Sequence, residues 1–183
     1  MIGGSAGAFE ALSVLLPSLP ADYPLPVLVV VHIPRDRPSA LAELFRAKCR
    51  VQVTEAEDKE PVRPGVVYFA PPDYHLLVEA DGRLSLSSEE PVMFSRPSID
   101  VLFESAADAY GERLVGIVLT GANSDGAKGL RMIGDAGGTA LVQDPATAQA
   151  AAMPLAALYA CPGARALSLA EIAEFLQKVP VTK

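Results

Sequence analysis

Tryptophan is absent from the chain, histidine and cysteine occur twice each, and 15 Lys and Arg face 22 Asp and Glu for a net charge of -7. Each scarcity excludes something. Cys49 and Cys161 stand alone without Cys-x-x-Cys spacing, so neither a disulfide framework nor a zinc site is expected, and both read as buried thiols. No metal and no cofactor is implied. Too few cationic residues cluster to build a phosphate-binding surface, so nucleic acid is not an expected partner. Every apolar run is broken by Pro, Gly or charge before it reaches membrane-spanning length, which argues against direct membrane insertion. The N-terminus lacks a basic region followed by an apolar run and cleavage site, so a cytoplasmic address is expected. With half of its 183 residues apolar, the chain suits one domain over residues 1–183.

What is present begins at Gly3-Gly4-Ser5-Ala6-Gly7, a Gly-x-Ser-x-Gly pattern. Small flanking residues let a strand swing abruptly into a helix and lift the serine hydroxyl clear of the backbone. The plain alternative is a tight loop with an incidental serine. Ile2 stands at the edge of this turn, so the strand feeding it is expected to be short. Phe9, Leu12, Leu15 and Leu16 then recur at helical spacing up to Pro17, which sets Ser5 near a helix N-terminus where a developing negative charge is favoured.

Val27 to Val31 is a continuous apolar run, the pattern of a strand buried on both faces, and His32 falls at its carboxyl end. Pro34 and Pro38 mark the following loop, and Leu41, Leu44 and Phe45 a second helix. Val51 to Thr54, Val66 to Ala70, Leu76 to Glu79 and Leu84 to Ser87 read as short strands of an antiparallel insertion, with Asp81-Gly82 as a hairpin turn. Ser98 is placed to cap a helix through Ile99, Leu102, Phe103, Ala106 and Tyr110. A buried strand from Leu114 to Leu119 opens into Thr120-Gly121-Ala122-Asn123-Ser124-Asp125-Gly126, followed by a helix through Leu130 and Ile133. Thr139 to Gln143 is a further strand, Ala146 to Ala160 a helix broken at Pro154, and Ser168 to Glu171 a capping box opening the last helix.

Strands alternating with amphipathic helices predict an α/β fold: a Rossmann-like, three-layer, doubly wound, mostly parallel sheet with an antiparallel hairpin insertion. Ligands and reacting groups gather outside the carboxyl ends of such strands. Ser5, His32 and Asp125 each follow a different strand there. A serine hydroxyl needs a base, which an imidazole supplies, and a carboxylate fixes the imidazole's tautomer and steadies its cation. Taken singly, His32 at a strand end and Asp125 before a glycine are as well explained by structure and turn chemistry. His75, inside the insertion, is the other histidine, and it suits a surface or cleft-lining position. The order Ser, His, Asp differs from the usual α/β-hydrolase order, in which the histidine comes last. Gly121 to Lys128 departs from a phosphate loop, since Ala127 precedes Lys128 and Gly129 stands where Ser or Thr should hold a metal, so a nucleotide-binding domain is a weaker alternative.

Ile2-Gly3-Gly4-Ser5-Ala6-Gly7, Val30-Val31-His32-Ile33-Pro34, Tyr68-Phe69-Ala70-Pro71 with His75, Ser95-Arg96-Pro97-Ser98-Ile99-Asp100, Leu119-Thr120-Gly121 with Asp125-Gly126-Ala127, and Met153-Pro154 together resemble the catalytic domain of the chemotaxis protein-glutamate methylesterases (CheB). The resemblance spans nearly the whole chain. It implies a triad of Ser5, His32 and Asp125, with an oxyanion hole of the backbone N–H groups of Ala6 and Ala122. The implied activity is hydrolysis of glutamate methyl esters on chemoreceptor helices, or on a similar methylated signalling protein, with glutamine deamidation in some members. An inactive relative that docks receptors or signalling partners is the alternative. Arg96 lines the cleft in this picture, and with Arg35 it is a candidate for local positive charge toward acidic receptor helices. The sequence departs from the family at Ala6, where Thr is usual, at Ala8, where Gly is usual, and at Ala122, where a larger residue such as Met is frequent. The 183 residues leave no room for the receiver domain normally fused upstream, so phosphorelay control is expected to come from a separate receiver domain or a methyltransferase partner.

Overall fold

The computed structural model describes residues 1–33 and 40–179. Arg35 and the loop marked by Pro34 and Pro38 lie outside the described residues. Seven parallel strands form the central sheet: β1 (Ile2–Gly4), β2 (Val27–Val31), β3 (Gln52–Glu55), β4 (Val66–Phe69), β7 (Val115–Val118), β8 (Thr139–Gln143) and β9 (Arg165–Leu167). Between β4 and β7 in the chain, β5 (His75–Val78) and β6 (Leu84–Ser87) pair antiparallel as a separate hairpin, with Gly82 in its turn at φ 79°. The spatial order is β3-β4-β2-β1-β7-β8-β9. The chain builds outward from β1 on one side, then returns to its other side at β7. Such a reversal opens a crevice at the carboxyl edge of the sheet.

Two expectations are corrected here. β3 and β4 are parallel members of the main sheet, so the antiparallel insertion is only the hairpin β5–β6. Pro154 does not break a helix, because it lies in the first turn of α5 (Ala152–Ala160), where its amide nitrogen has no intrahelical partner to lose. Upstream of α5 there is only a short 3-10 turn at Pro145–Thr147.

Buried strands with apolar residues on both faces need a helical layer on each side. One layer contains α1 (Ala8–Leu15), α2 (Leu41–Arg46) and α6 (Leu169–Lys178), where Leu12, Leu15, Phe45 and Ile172 bury against Val27, Val29 and Phe69. The other contains α3 (Ile99–Tyr110), α4 (Ala127–Asp135), α5 and the hairpin, with Phe103, Leu130, Met153 and Leu76 against Leu28, Val30 and Val118. Each fully buried Leu or Phe contributes about 1.5–3 kcal/mol. Leu28 and Val30 face the α3 layer, so the alternation along β2 turns His32 toward the same side. Among the described residues no helix is long and apolar enough to cross a membrane.

Candidate active site

The serine turn is assembled from backbone bonds at the sheet edge. Ser5 N–H donates to Thr120 O (2.9 Å), and Ser5 O accepts from Ala8 N–H as α1 begins (2.9 Å). Gly7 lies between them at φ 80°, and a Cβ there would come within 2.8 Å of Gln149 Cβ, so this corner requires glycine. The Thr120 hydroxyl donates to Ala6 O (2.8 Å) and accepts from Ala150 N–H (2.8 Å), while Thr120 N–H donates to the Oε1 of buried Gln143 (2.9 Å). Three strand ends are thereby tied around one turn.

β1 and β2 are adjacent, with Gly4 opposite Val31 in register, and His32 N–H donates to Gly4 O (3.2 Å). Ser5 and His32 therefore leave neighbouring strands side by side. The ring of His32 reaches Asp125 Oδ2 through Nε2 at 2.8 Å, which leaves Nδ1 away from the carboxylate. Ser95 Oγ is 3.5 Å from Nδ1. In the described residues the N–H groups of Ala6 and Ala122 donate to no protein acceptor, and both residues are exposed beside the turn.

Asp125 is fully buried, and four donors converge on it. Oδ2 accepts from His32 and from Ile99 N–H (2.7 Å); Oδ1 accepts from the Ser98 hydroxyl (2.9 Å) and Asp100 N–H (2.9 Å). The two amides are the first of α3, so the carboxylate also occupies the positive end of that helix. Burial alone would raise its pKa; the bonds from His32, Asp100 and Ile99 outweigh that and hold it below the ordinary carboxylate value. It remains an anion at neutral pH.

The other sequence candidates sit differently. His75 is buried at the start of β5, where Nδ1 accepts from Ser98 N–H (3.1 Å) and Nε2–H donates to Glu90 O (3.1 Å). Both ring nitrogens are occupied in holding the segment before α3. The guanidinium of Arg96 donates twice to Asp73 Oδ1 (3.1 and 2.8 Å) and to the carbonyls of Ser88 and Glu89 (2.6 and 2.8 Å). These bonds fix the loops around the hairpin. Among the described residues the turn Val92 to Ser95 borders His32 through Ser95, and its exposed Met93 accepts a long bond from Ser124 (3.7 Å). Ser98, Thr120 and Gln143 were legible only as a cap, a loop residue and a strand end. A buried Gln closing an apolar strand is the signal that a brace was needed there.

A family model described as CheB methylesterase matches residues 1–176. The chain belongs to the CheB methylesterase family. A Leptospira interrogans protein is 48% identical over 174 residues, covering 95% of this chain and 90% of that protein. A relative from Symbiobacterium thermophilum, named protein-glutamate methylesterase/protein-glutamine glutaminase, is 44% identical over 154 residues, covering 84% of this chain and 42% of its own length. The crystal structure of the Thermotoga maritima CheB methylesterase catalytic domain superposes with a TM-score of 0.90 at 32% identity, covering 97% of this chain and 95% of that one. The CheB assignment and the doubly wound sheet expected from the sequence thus agree.

Proposed function

We propose that this chain is a cytoplasmic protein-glutamate methylesterase using Ser5, His32 and Asp125. The observation that supports the reading is the pairing of β1 with β2, whose adjacent ends carry Ser5 and His32, together with the bond from the His32 ring to a buried carboxylate. In the first half-reaction Ser5 Oγ attacks the ester carbonyl carbon as its proton passes to His32 Nδ1. The carbonyl oxygen becomes an oxyanion between the N–H groups of Ala6 and Ala122. Collapse of the intermediate breaks the bond to the methoxy oxygen, which takes the proton from His32 and leaves as methanol. Water then attacks the acyl-serine with His32 again accepting a proton, and the glutamate carboxylate and Ser5 hydroxyl are restored. A glutamine side chain would follow the same path with ammonia as the leaving group.

The substrate class proposed is a methylated helix of a chemoreceptor or a similar signalling protein. Arg96, with four of its five N–H groups given to Asp73 and two carbonyls, acts in this reading by shaping the cleft wall rather than by meeting the substrate charge. The test is mass spectrometry of methylated receptor peptides incubated with wild type and with Ser5→Ala. Wild type should remove about 14 mass units per ester, and Ser5→Ala should leave its substrate intact. Equal demethylation by both would refute the assignment of Ser5.

A further inference from the structure

Asp100, the second residue of α3, is 7% exposed and faces α4. Its Oδ1 accepts the N–H of Gly129 at 2.7 Å, in the first turn of α4. The N-cap of α4 is Gly126, which has no side chain to close that turn. Asp125, at the entrance to α4, in turn closes the first turn of α3 by accepting the N–H groups of Ile99 and Asp100 itself. The two helices cap each other. Gly129 allows this closeness, since a Cβ there would lie 2.5 Å from Phe103 Cβ and 3.1 Å from Asp100 O.

A neutral Ser or Asn could close a helix turn, so a buried acid beside another buried acid needs a reason. Burial, opposed by the N–H of Gly129 and reinforced by the charges of Asp125 and Glu104, raises the Asp100 carboxyl to about 6. The charged groups facing it are Asp125 from the loop, Glu104 from α3 and Lys128 from α4, the last two paired at 2.9 Å, with the ring of His32 beyond Asp125. At neutral pH its negative charge therefore adds to that of Asp125, the carboxylate that meets His32.

Building on the esterase reading, we infer that Asp100 is a positioning residue for the site: it locks α3 and α4 in the arrangement that saturates Asp125, and its charge steadies protonated His32 through Asp125. Asp100→Asn keeps an acceptor for Gly129 and removes the charge. With a glutamate methyl ester peptide, kcat should fall roughly tenfold, the scale on which outer-shell partners act, while KM moves less than about twofold. The acid limb of the pH–rate profile should move to lower pH, because the imidazolium is less favoured. Asp100→Ala, which also opens the α4 turn, should fall further.

A second readout needs no turnover. With only two histidines in the chain, the imidazole nitrogen resonances of His32 can be followed by NMR against His75. The titration midpoint of His32 should move down in Asp100→Asn. A folded Asp100→Asn with wild-type kcat, pH profile and His32 titration overturns the inference while leaving the esterase reading intact. Should wild type hydrolyse no ester, that reading falls, and the His32 titration alone decides the role of Asp100. If Asp100→Ala fails to fold, the Asn variant carries both measurements.

Discussion

Replacing Asp125 by Asn removes one charge and turns one acceptor oxygen into a donor. Whichever way the amide is turned, its NH2 faces one backbone donor that cannot switch, Ile99 N–H or Asp100 N–H, and one partner that can accept instead, His32 Nε2 by changing tautomer or the Ser98 hydroxyl by rotating. That one buried amide left without an acceptor costs about 1–3 kcal/mol. Against a typical total of about 5–15 kcal/mol the variant should fold with a markedly lower Tm. Activity should suffer more. An NH2 toward Nε2 favours the tautomer with the proton on Nδ1, the atom that must accept from Ser5, and the same change in a Ser-His-Asp site costs about four orders of magnitude in kcat. Because the folded carboxyl of Asp125 lies below its ordinary value, its ionisation stabilises the wild type fully above the ordinary carboxylate range. That contribution is lost as pH falls through the lowered value. Asp125→Asn should lack this acid-side loss. Methanol release and thermal melts across pH read both effects, and a folded Asp125→Asn within about tenfold of wild-type kcat would refute the assigned role of the carboxylate.

Activity of the wild type should decline on acidification, because a protonated imidazole cannot accept from Ser5; a flat kcat/KM profile into mildly acidic solution counts against His32 as the base. Thr120→Val leaves Ala6 O and Ala150 N–H without their hydroxyl partner, so Tm should fall by the equivalent of about 1–3 kcal/mol and kcat should fall with it as the Ala6 N–H shifts. For Arg96→Ala, loss of the Asp73 pair and two carbonyl contacts should lower Tm with little change in KM, and a large rise in KM at constant Tm would instead make the guanidinium a substrate contact. Asp100 has a folded pKa near 6, above the ordinary 3.8, so its ionisation costs stability increasingly between about pH 4 and 6; Asp100→Asn should remove that slope and gain up to about 3 kcal/mol at neutral pH, seen in denaturant melts.

Local chemistry was legible in the sequence wherever one residue's type decides a local geometry. The glycine-flanked Ser5 corner, the Ser98 cap and the Ser168–Glu171 capping box lie where their residue types place them. Strand direction was not legible for β3 and β4, because pairing is settled between segments far apart in the chain. The fully buried Val66–Phe69 run suits an interior parallel strand as well as a hairpin arm. β9 escaped notice because Arg165–Leu167 is a three-residue, largely exposed edge strand with no apolar pattern. At the site, Ser5, His32 and Asp125 could be picked out because their side chains carry the chemistry. The donors that hold Asp125 could not: two of its four partners are backbone amides of Ile99 and Asp100, and an amide leaves no mark in residue type.

The orientation of the imidazole follows from the layers that supply its partners. Neighbouring strands lie about 4.8 Å apart, so a serine leaving β1 is within short reach of a histidine leaving β2. The near ring nitrogen, Nδ1, suits that neighbour. Asp125 comes from farther away, at the junction of α3 and α4 above the sheet, and only the far nitrogen, Nε2, extends to it. The ring thus spans from the strand layer to the helix layer. With Ser5 at Nδ1, as proposed, this is the reverse of the Ser-His-Asp arrangement in which Nε2 meets the serine and Nδ1 the carboxylate. Moving the carboxylate onto a strand beside β2 would remove the reason for that reversal. Keeping it at the helix junction means that the packing of α3 on α4 sets the position of the His32 ring.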